Sequence, residues 1–451
     1  MQNYRPISNL TFLSKTVERV VASRLQYHLD LNHLLPQMQS AYRRKHSTET
    51  ALLRVISDVL SAADDKNITV LALLDLSAAF DCVDHDLLLR RLEHDMGISG
   101  LSLEWFRSFL TDRTAYVSFN GSDSIRRPIT CGVPQGSILG PILFTVFISD
   151  LDKIITEHPL RRHFYADDIQ IYHSCPPSEV STGVHILSDC TTELKSWLHV
   201  NRLMLNLTKT EVICLGSQQL ISRISADTFN IGSTLVCRAR TVRNLGVTLD
   251  EQLTMSAHVD QVVRAGFFQL RQLRVIVSCL TPHAATTLVH AFIHSRLDYG
   301  NSLFYGISSH QLRRLQLLQN SAARLVSGAH RYDHITPILN ALHWLPVRQR
   351  ILFKVSTLVH RCLHGNAPPY LIELCNLLSS TTRSWSLRSS NTKQLLTPRA
   401  HMNLGARSFS VAGPTVWNLL PPQVRDHAGS DLSFAKLLKT HFYNNAAAAH
   451  S

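Results

Sequence analysis

Apolar residues recur at helical spacing from the start of the chain, with Leu13, Val17, Val20, Val21 and Leu25 predicted to form the inward face of a first helix. A basic, polar loop follows from Gln39 to Thr48, then a second helix from about Glu49 to Ala62. The run Ile68–Leu74 is short, apolar and β-branched at its start, the pattern of a buried strand, and it ends at Asp75. Helical spacing returns at Leu87–Leu92 and Leu101–Leu110. Tyr116–Asn120 and Arg126–Thr130 flank Gly121 and Ser122 as the arms of a hairpin. Beyond a glycine-rich turn, Gly132–Gly136, Gly140 and Pro141 stand where a helix begins, and that helix is expected to reach about Leu151. Arg162–Tyr172 reads as two short strands joined at Ala166-Asp167-Asp168. Leu187, Cys190, Leu194, Trp197 and Leu198 mark one face of another helix, and Val212–Leu215 and Thr241–Leu249 read as strands. From about Ser256 to residue 379 helical spacing dominates. A Ser/Thr-rich break, Ser379–Ser390, then precedes a mixed tail with a helix near Phe434–Phe442 and a closing alanine run, Ala446–Ala449, expected to fray.

With 451 residues and 45% hydrophobic content, the chain has material for two or three packed domains. The formal net charge is +12 with 24 histidines uncounted. Such an excess suits a polyanionic partner, whose condensed counterions are released on binding. No apolar stretch approaches the ~20 residues of a membrane span; the longest, Ile138–Ile148, is interrupted by Gly140-Pro141. The polar opening, with Gln2, Asn3 and Arg5, is not a signal peptide, so an intracellular, unsecreted protein of cytoplasm or nucleus is expected. None of the nine cysteines forms a Cys-x-x-Cys pair, so they read as small buried hydrophobes of a reducing compartment. The histidines, including His28, His33 and His163, lack metal-ligand spacing, and no Walker-type phosphate loop is present.

Candidate chemistry centres on carboxylates. Asp75 ends a predicted strand, and Asp167 and Asp168 occupy a predicted hairpin tip between apolar Phe164 and Ile169. Three such carboxylates can hold hard divalent cations, and two ions ~3.5–4 Å apart can activate an attacking oxygen and stabilise a leaving one. An acidic pair alone is weak evidence; Asp64-Asp65 reads as a solvated turn. Adjacent carboxylates in an apolar setting call for neutralisation, by a metal or by Arg or Lys.

Seven segments in order make the reading specific. Ala72-Leu-Leu-Asp-Leu-Ser-Ala-Ala-Phe-Asp81 resembles polymerase motif A of reverse transcriptases, Gly132-Val-Pro-Gln-Gly-Ser-Ile-Leu-Gly-Pro141 motif B, and Tyr165-Ala-Asp-Asp168 motif C. Tyr4-Arg-Pro-Ile-Ser8 and Gln39-Ser-Ala-Tyr-Arg-Arg-Lys-His-Ser-Thr48 resemble the two fingers motifs. Leu205-Asn-Leu-Thr-Lys-Thr-Glu211 resembles motif D, and Leu245-Gly-Val-Thr-Leu-Asp250 the primer grip. The best resemblance is to the LINE-like, non-LTR retrotransposon group, and Leu297-Asp-Tyr-Gly-Asn301 and Leu342-His-Trp-Leu-Pro346 extend it beyond the polymerase motifs.

The resemblance implies an α+β, right-hand polymerase fold with an antiparallel palm sheet. Fingers would span about 1–66, palm 67–250 and helical thumb 251–379, with a carboxy-terminal tail, 380–451, of unassigned role. It implies an RNA-directed DNA polymerase acting on an RNA template, a DNA primer and dNTPs, with two Mg²⁺ ions, or Mn²⁺ in their place, held by Asp75, Asp167 and Asp168. Oligomeric state is left open.

Phe80, five residues after Asp75, would exclude a 2′-hydroxyl; taken alone it is a core phenylalanine. Gln135 and Gly136 would line the nucleotide pocket, Arg43 would hold triphosphate oxygens, and Lys209 would donate a proton to pyrophosphate. Leu245 and Gly246 would form the primer grip. The basic helix Gln311–Gln319 is read equally as a duplex-contacting thumb element and as a packed helix with a solvated face. Ala41 and Lys45 replace family glycines in the fingers loop, implying strain if either takes positive φ. The chain opens inside the first fingers motif, so an amino-terminally truncated enzyme, without the endonuclease that precedes the polymerase in this family, is expected. Two other functions stay open: an inactive remnant that only binds RNA or DNA, and an RNA-dependent RNA polymerase, which Phe80 disfavours.

Overall fold

The computed structural model describes residues 7–378 and 393–448. Most of the first fingers motif (Tyr4–Pro6), the Ser379–Ser390 break and Ala449 lie outside the described residues. The strands are β1 Ile68–Leu74, β2 Leu76–Ser77, β3 Arg113–Ala115, β4 Ser118–Phe119, β5 Ser122–Asp123, β6 Arg127–Ile129 and β7 Arg161–Tyr165. They continue as β8 Asp168–Cys175, β9 Met204–Leu205, β10 Glu211–Leu215, β11 Thr228–Ile231, β12 Thr234–Ala239, β13 Thr241–Asn244 and β14 Val247–Asp250. Six of them form a sheet in the order β11-β12-β10-β1-β8-β7, and the other eight form four two-stranded ribbons.

The chain packs as two compact units. One comprises residues 1–47, 70–212 and 225–238; the other comprises 48–69, 213–224 and 239–451. β1, whose residues 70–74 belong to the first, is buried along nearly its whole length, as an apolar run without alternation requires. The antiparallel pair β7–β8 is in register from Arg161↔Tyr172 to Tyr165↔Asp168. Helix Val180–Val200 buries Leu187, Cys190, Leu194 and Leu198. The Arg91 guanidinium lies 4.6 Å from the Phe147 ring centroid and 4.8 Å from that of Trp197, and bonds Asn201 Oδ1 at 2.6 Å.

The second unit is mostly helical. Its core includes Leu315, Leu318, Val355, Val359, Trp417 and Phe434. The tail contributes helices Phe409–Asn418, Pro422–Arg425 and Asp431–Ala448. Helix Ser309–Ser327, which contains the basic stretch, buries Leu315, Leu318, Ala322 and Ala323.

Several expectations change. Helix Phe12–Leu31 buries Glu18, Ala22, Leu25, Gln26 and Leu29 and exposes Leu13, Val17 and Val20. The physical reason is Glu18: its carboxylate accepts from Ile138 N and Leu139 N at 2.8 and 3.3 Å, turning the polar side of the helix inward. The helix from Gly140 ends at Phe147 and resumes at Leu151–Thr156, with the Ser149 hydroxyl bonding back to the Val146 carbonyl at 2.8 Å. Thr241–Leu249 is a hairpin, not one strand, because Leu245 (φ 43°) and Gly246 (φ 84°) form a left-handed two-residue turn. The arms around Gly121 pair as two short ribbons, β3–β6 and β4–β5. Asp64 is buried; its carboxylate accepts from His401 N and Met402 N at 2.8 and 2.6 Å, so of the Asp64-Asp65 pair only the exposed Asp65 lies in a solvated turn. Cys131, Cys237 and Cys279 are exposed rather than buried.

Candidate active site

Ten residues were singled out from the sequence, and eight of them fall in the first unit. Asp75 directly follows β1 and Asp168 opens β8, so they mark ends of two neighbouring strands of the sheet. The Asp167 side chain is half-buried and Asp168 is exposed. Deep burial therefore forces neutralisation of this pair less than its apolar neighbours suggested; Phe164 and Ile169 are buried, the carboxylates between them are not.

Asp75 is tied to the motif D segment. Its carbonyl accepts from Asn206 N at 2.8 Å, and its Oδ2 lies 3.4 Å from Asn206 Nδ2 and 3.2 Å from Lys209 Nζ. The β2–β9 ribbon, Leu76↔Leu205 and Ser77↔Met204, holds these segments together. Lys209 is thus neither an isolated surface lysine nor, in this conformation, extended toward a leaving group. Its ammonium neutralises a candidate metal ligand.

Motifs A and B interlock through backbone and side chain. Val133 N bonds Phe80 O at 2.8 Å and Gly132 N bonds Val83 O at 2.7 Å. A Cβ on Gly132, whose φ is +86°, would stand 2.8 Å from Asp81 O, so only glycine fits there. The Gln135 amide donates to both oxygens of Asp81, at 2.9 and 3.0 Å. Asp81 was assigned no role from sequence, although it immediately follows the candidate gate. Phe80 is half-buried, its ring stacked on Phe144 with centroids 4.4 Å apart. Gly136 is exposed with φ +96°, and Ser8 N bonds Gln135 O at 2.8 Å.

The fingers loop is held by its own arginine, since Arg43 Nη1 donates to Pro36 O at 2.8 Å and Gln39 O at 3.2 Å. Of the two positions where family glycines are replaced, Lys45 takes φ +69° and Ala41 does not take positive φ. The left-handed conformation costs an L-residue roughly 1–2 kcal/mol, so of these two positions Lys45 carries the strain, which Tyr42 (φ +57°) shares in the same loop. Leu245 and Gly246 belong to the second unit. There the Leu245 carbonyl accepts from Tyr299 Oη at 2.6 Å, and a Cβ on Gly246 would stand 2.9 Å from that oxygen.

The reverse transcriptase (RNA-dependent DNA polymerase) family model matches residues 1–249, and the chain belongs to that family. Its relatives are polymerases of non-LTR retrotransposons, and its α+β fold is that of a right-hand polymerase. It is 31% identical over 359 residues to the probable RNA-directed DNA polymerase from transposon BS of Drosophila melanogaster, covering 78% of this chain and 39% of that one. It is 28% identical to the RNA-directed DNA polymerase from mobile element jockey of the same organism, covering 73% and 36%. The chain thus spans well under half the length of these relatives. A solved telomerase from Candida albicans, in complex with a fragment of telomeric RNA, aligns over 76% of this chain and 56% of its own at 14% identity and a TM-score of 0.34. That superposition is too loose to bear on mechanism.

Enzymes of this family use divalent metal ions. Among the described residues, no group of three His, Cys, Asp or Glu is gathered to hold a metal. The donor chemistry nevertheless fits: three carboxylates, none deeply buried, supply the hard oxygens that Mg²⁺ prefers. The Lys209 ammonium on Asp75 marks a place where a positive charge is stabilised. Among the described residues, no helix is long and apolar enough to cross a membrane.

Proposed function

We propose that this chain is the polymerase segment of a non-LTR retrotransposon enzyme, extending a DNA primer on an RNA template. The observation that carries the reading is that Asp75 directly follows β1 and Asp168 opens β8, neighbouring strands of one sheet, while the Gln135–Asp81 tie joins motifs A and B. The primer 3′-oxygen would bond to the α-phosphorus of a dNTP and give its proton to water as the bond to pyrophosphate breaks. Asp75, Asp167 and Asp168 would hold the two ions. Bound there, these would activate the attacking oxygen and stabilise the leaving one.

The protein's own groups define the rest. Phe80, braced by Phe144, would present its free edge to the sugar and exclude a 2′-hydroxyl. Gln135, oriented by Asp81, would bond the nucleotide, and Gly136 would let its backbone approach closely. Arg43 would hold triphosphate oxygens from the loop it helps to fix. Lys209, released from Asp75, would protonate pyrophosphate. Leu245 and Gly246 would contact the primer. Fingers, palm and thumb would divide near residues 66 and 250, with the tail after 379 carrying no assigned role.

The test is primer extension on an RNA template with Mg²⁺ or Mn²⁺. The chain should extend, and Asp167→Asn should abolish extension while leaving nucleic-acid binding intact. Full activity in that variant would remove the metal assignment. The Lys209–Asp75 ion pair favours a second reading, a chain that binds nucleic acid without catalysis. Binding without extension in either ion would establish it.

A further inference from the structure

Gln39 is almost wholly inaccessible, 2% exposed, yet it lies at the head of a polar loop. Its side-chain oxygen accepts two backbone amides, Ala41 N in its own loop at 3.0 Å and Ala166 N at 3.2 Å. Ala166 is the first residue of the turn between β7 and β8, immediately before Asp167. Its φ of +55° is one that L-residues avoid, and such a conformation persists only where the surroundings over-determine it.

The backbone beside Gln39 supplies that surrounding. Strand β7 is the last in the sheet order, and the loop pairs along it: Gln39 forms a parallel bridge to Phe164, Ser40 N bonds Phe164 O at 3.0 Å, and Phe164 N bonds Met38 O at 3.0 Å. Ser40 Oγ lies 2.8 Å from His163 Nε2. Main-chain pairing thus sets where the Gln39 backbone stands, and the side chain reaches on to the turn that the sheet ladder does not bind.

We propose that Gln39 is a positioning residue for the Asp167-Asp168 turn, its amide oxygen fixing the backbone from which both carboxylates project. This rests on the polymerase reading of that turn. A glutamine suits the role because it is long enough to cross from loop to turn and offers an acceptor to two amides without placing a buried charge there. A glutamine that merely fills space would be replaceable by an apolar side chain of the same length. A positioning glutamine would not, because the Ala166 amide would be left without its acceptor.

The experiment compares wild type, Gln39→Met, Gln39→Asn and Ser40→Ala as full chains. Gln39→Met keeps length and removes the acceptor; Gln39→Asn keeps the amide and withdraws it by one methylene, and it serves if the Met variant misfolds. In the metal-free protein, amide exchange at Ala166 and Asp167 should quicken about tenfold in both Gln39 variants, as expected for one lost hydrogen bond, and stay unchanged in Ser40→Ala. In primer extension, kcat should fall about 10–100-fold with KM for dNTP nearly constant, the range seen when a group supporting metal ligands is removed. Unchanged exchange at the turn, or kcat within about twofold of wild type, overturns the inference alone. A wild-type chain that does not extend, or an Asp167→Asn variant that does, overturns the site reading and this inference with it.

Discussion

Replacing Asp81 by Asn tests the link between motifs A and B with a change of one atom. The Gln135 amide nitrogen sits 2.9 and 3.0 Å from the two Asp81 oxygens, a charge-assisted contact. Hydrogen bonds to charged groups contribute about 1.5–3 kcal/mol when buried. Both side chains are only half-buried, so solvent competes and about 1–2 kcal/mol, around and below the lower end of that range, applies here. Asparagine removes the charge and offers one acceptor where there were two. If Gln135 must be held before it can meet the nucleotide, that energy appears in the rate, and kcat/KM for dNTP falls roughly 5–30-fold at 1.4 kcal/mol per decade. The assay is steady-state primer extension with each dNTP varied, repeated for Gln135→Ala and the double variant. Because Asp81 would act through Gln135, the double variant should be no worse than Gln135→Ala. Strictly additive losses, or an Asp81→Asn variant within about twofold of wild type, would refute the reasoning.

Phe80→Val should raise ribonucleotide incorporation relative to deoxynucleotide on the order of tenfold or more, and unchanged sugar selectivity removes the gate. Glu18→Ala leaves Ile138 N and Leu139 N without their acceptor and should lower stability by about 2–4 kcal/mol in urea unfolding; a loss below about 0.5 kcal/mol would show that the carboxylate is dispensable. Burial pushes His258 down to about 4 and, helped by the Arg350 and His290 charges, His294 down to about 2. Both are neutral in the folded chain and titrate near 6.5 when it unfolds, so the unfolded state binds more protons below that value. Stability contributed by keeping them neutral is complete above pH 6.5 and lost progressively as pH falls from there, toward 4 for His258 and toward 2 for His294. Melting temperature measured from pH 7.5 to 4.5 should decline, and His258→Gln should make the decline shallower.

Legibility in the sequence followed locality. Ile68–Leu74 is a strand with those very bounds, because a short run, apolar but for the β-branched Thr69 and flanked by polar residues, fits little else. The β7–β8 hairpin was also readable, its tip carrying small Ala166 and polar Asp167. What failed depended on distant partners. Leu13, Val17 and Val20 have the spacing of a core face, but Glu18 finds two backbone amides 120 residues away in sequence and turns the helix over. Asp64 looked solvated because its partners, His401 N and Met402 N, lie in the tail. In the site, the motifs marked Asp75, Phe80 and Gln135, whereas Gln39 and Asp81 stood inside quoted motifs without a role. Their function lies in a side-chain bond to another segment, which neither spacing nor residue type announces.

The contact between Lys209 and Asp75 has a practical side. At Asp75 the chain supplies its own counterion, so the folded state does not depend on an external one to balance that carboxylate. A melting scan with chelator present should therefore show the thermal transition unmoved. Under the metal reading proposed above, loading would be an exchange: an arriving cation would compete with a tethered ammonium, and the freed lysine would carry its proton into the site.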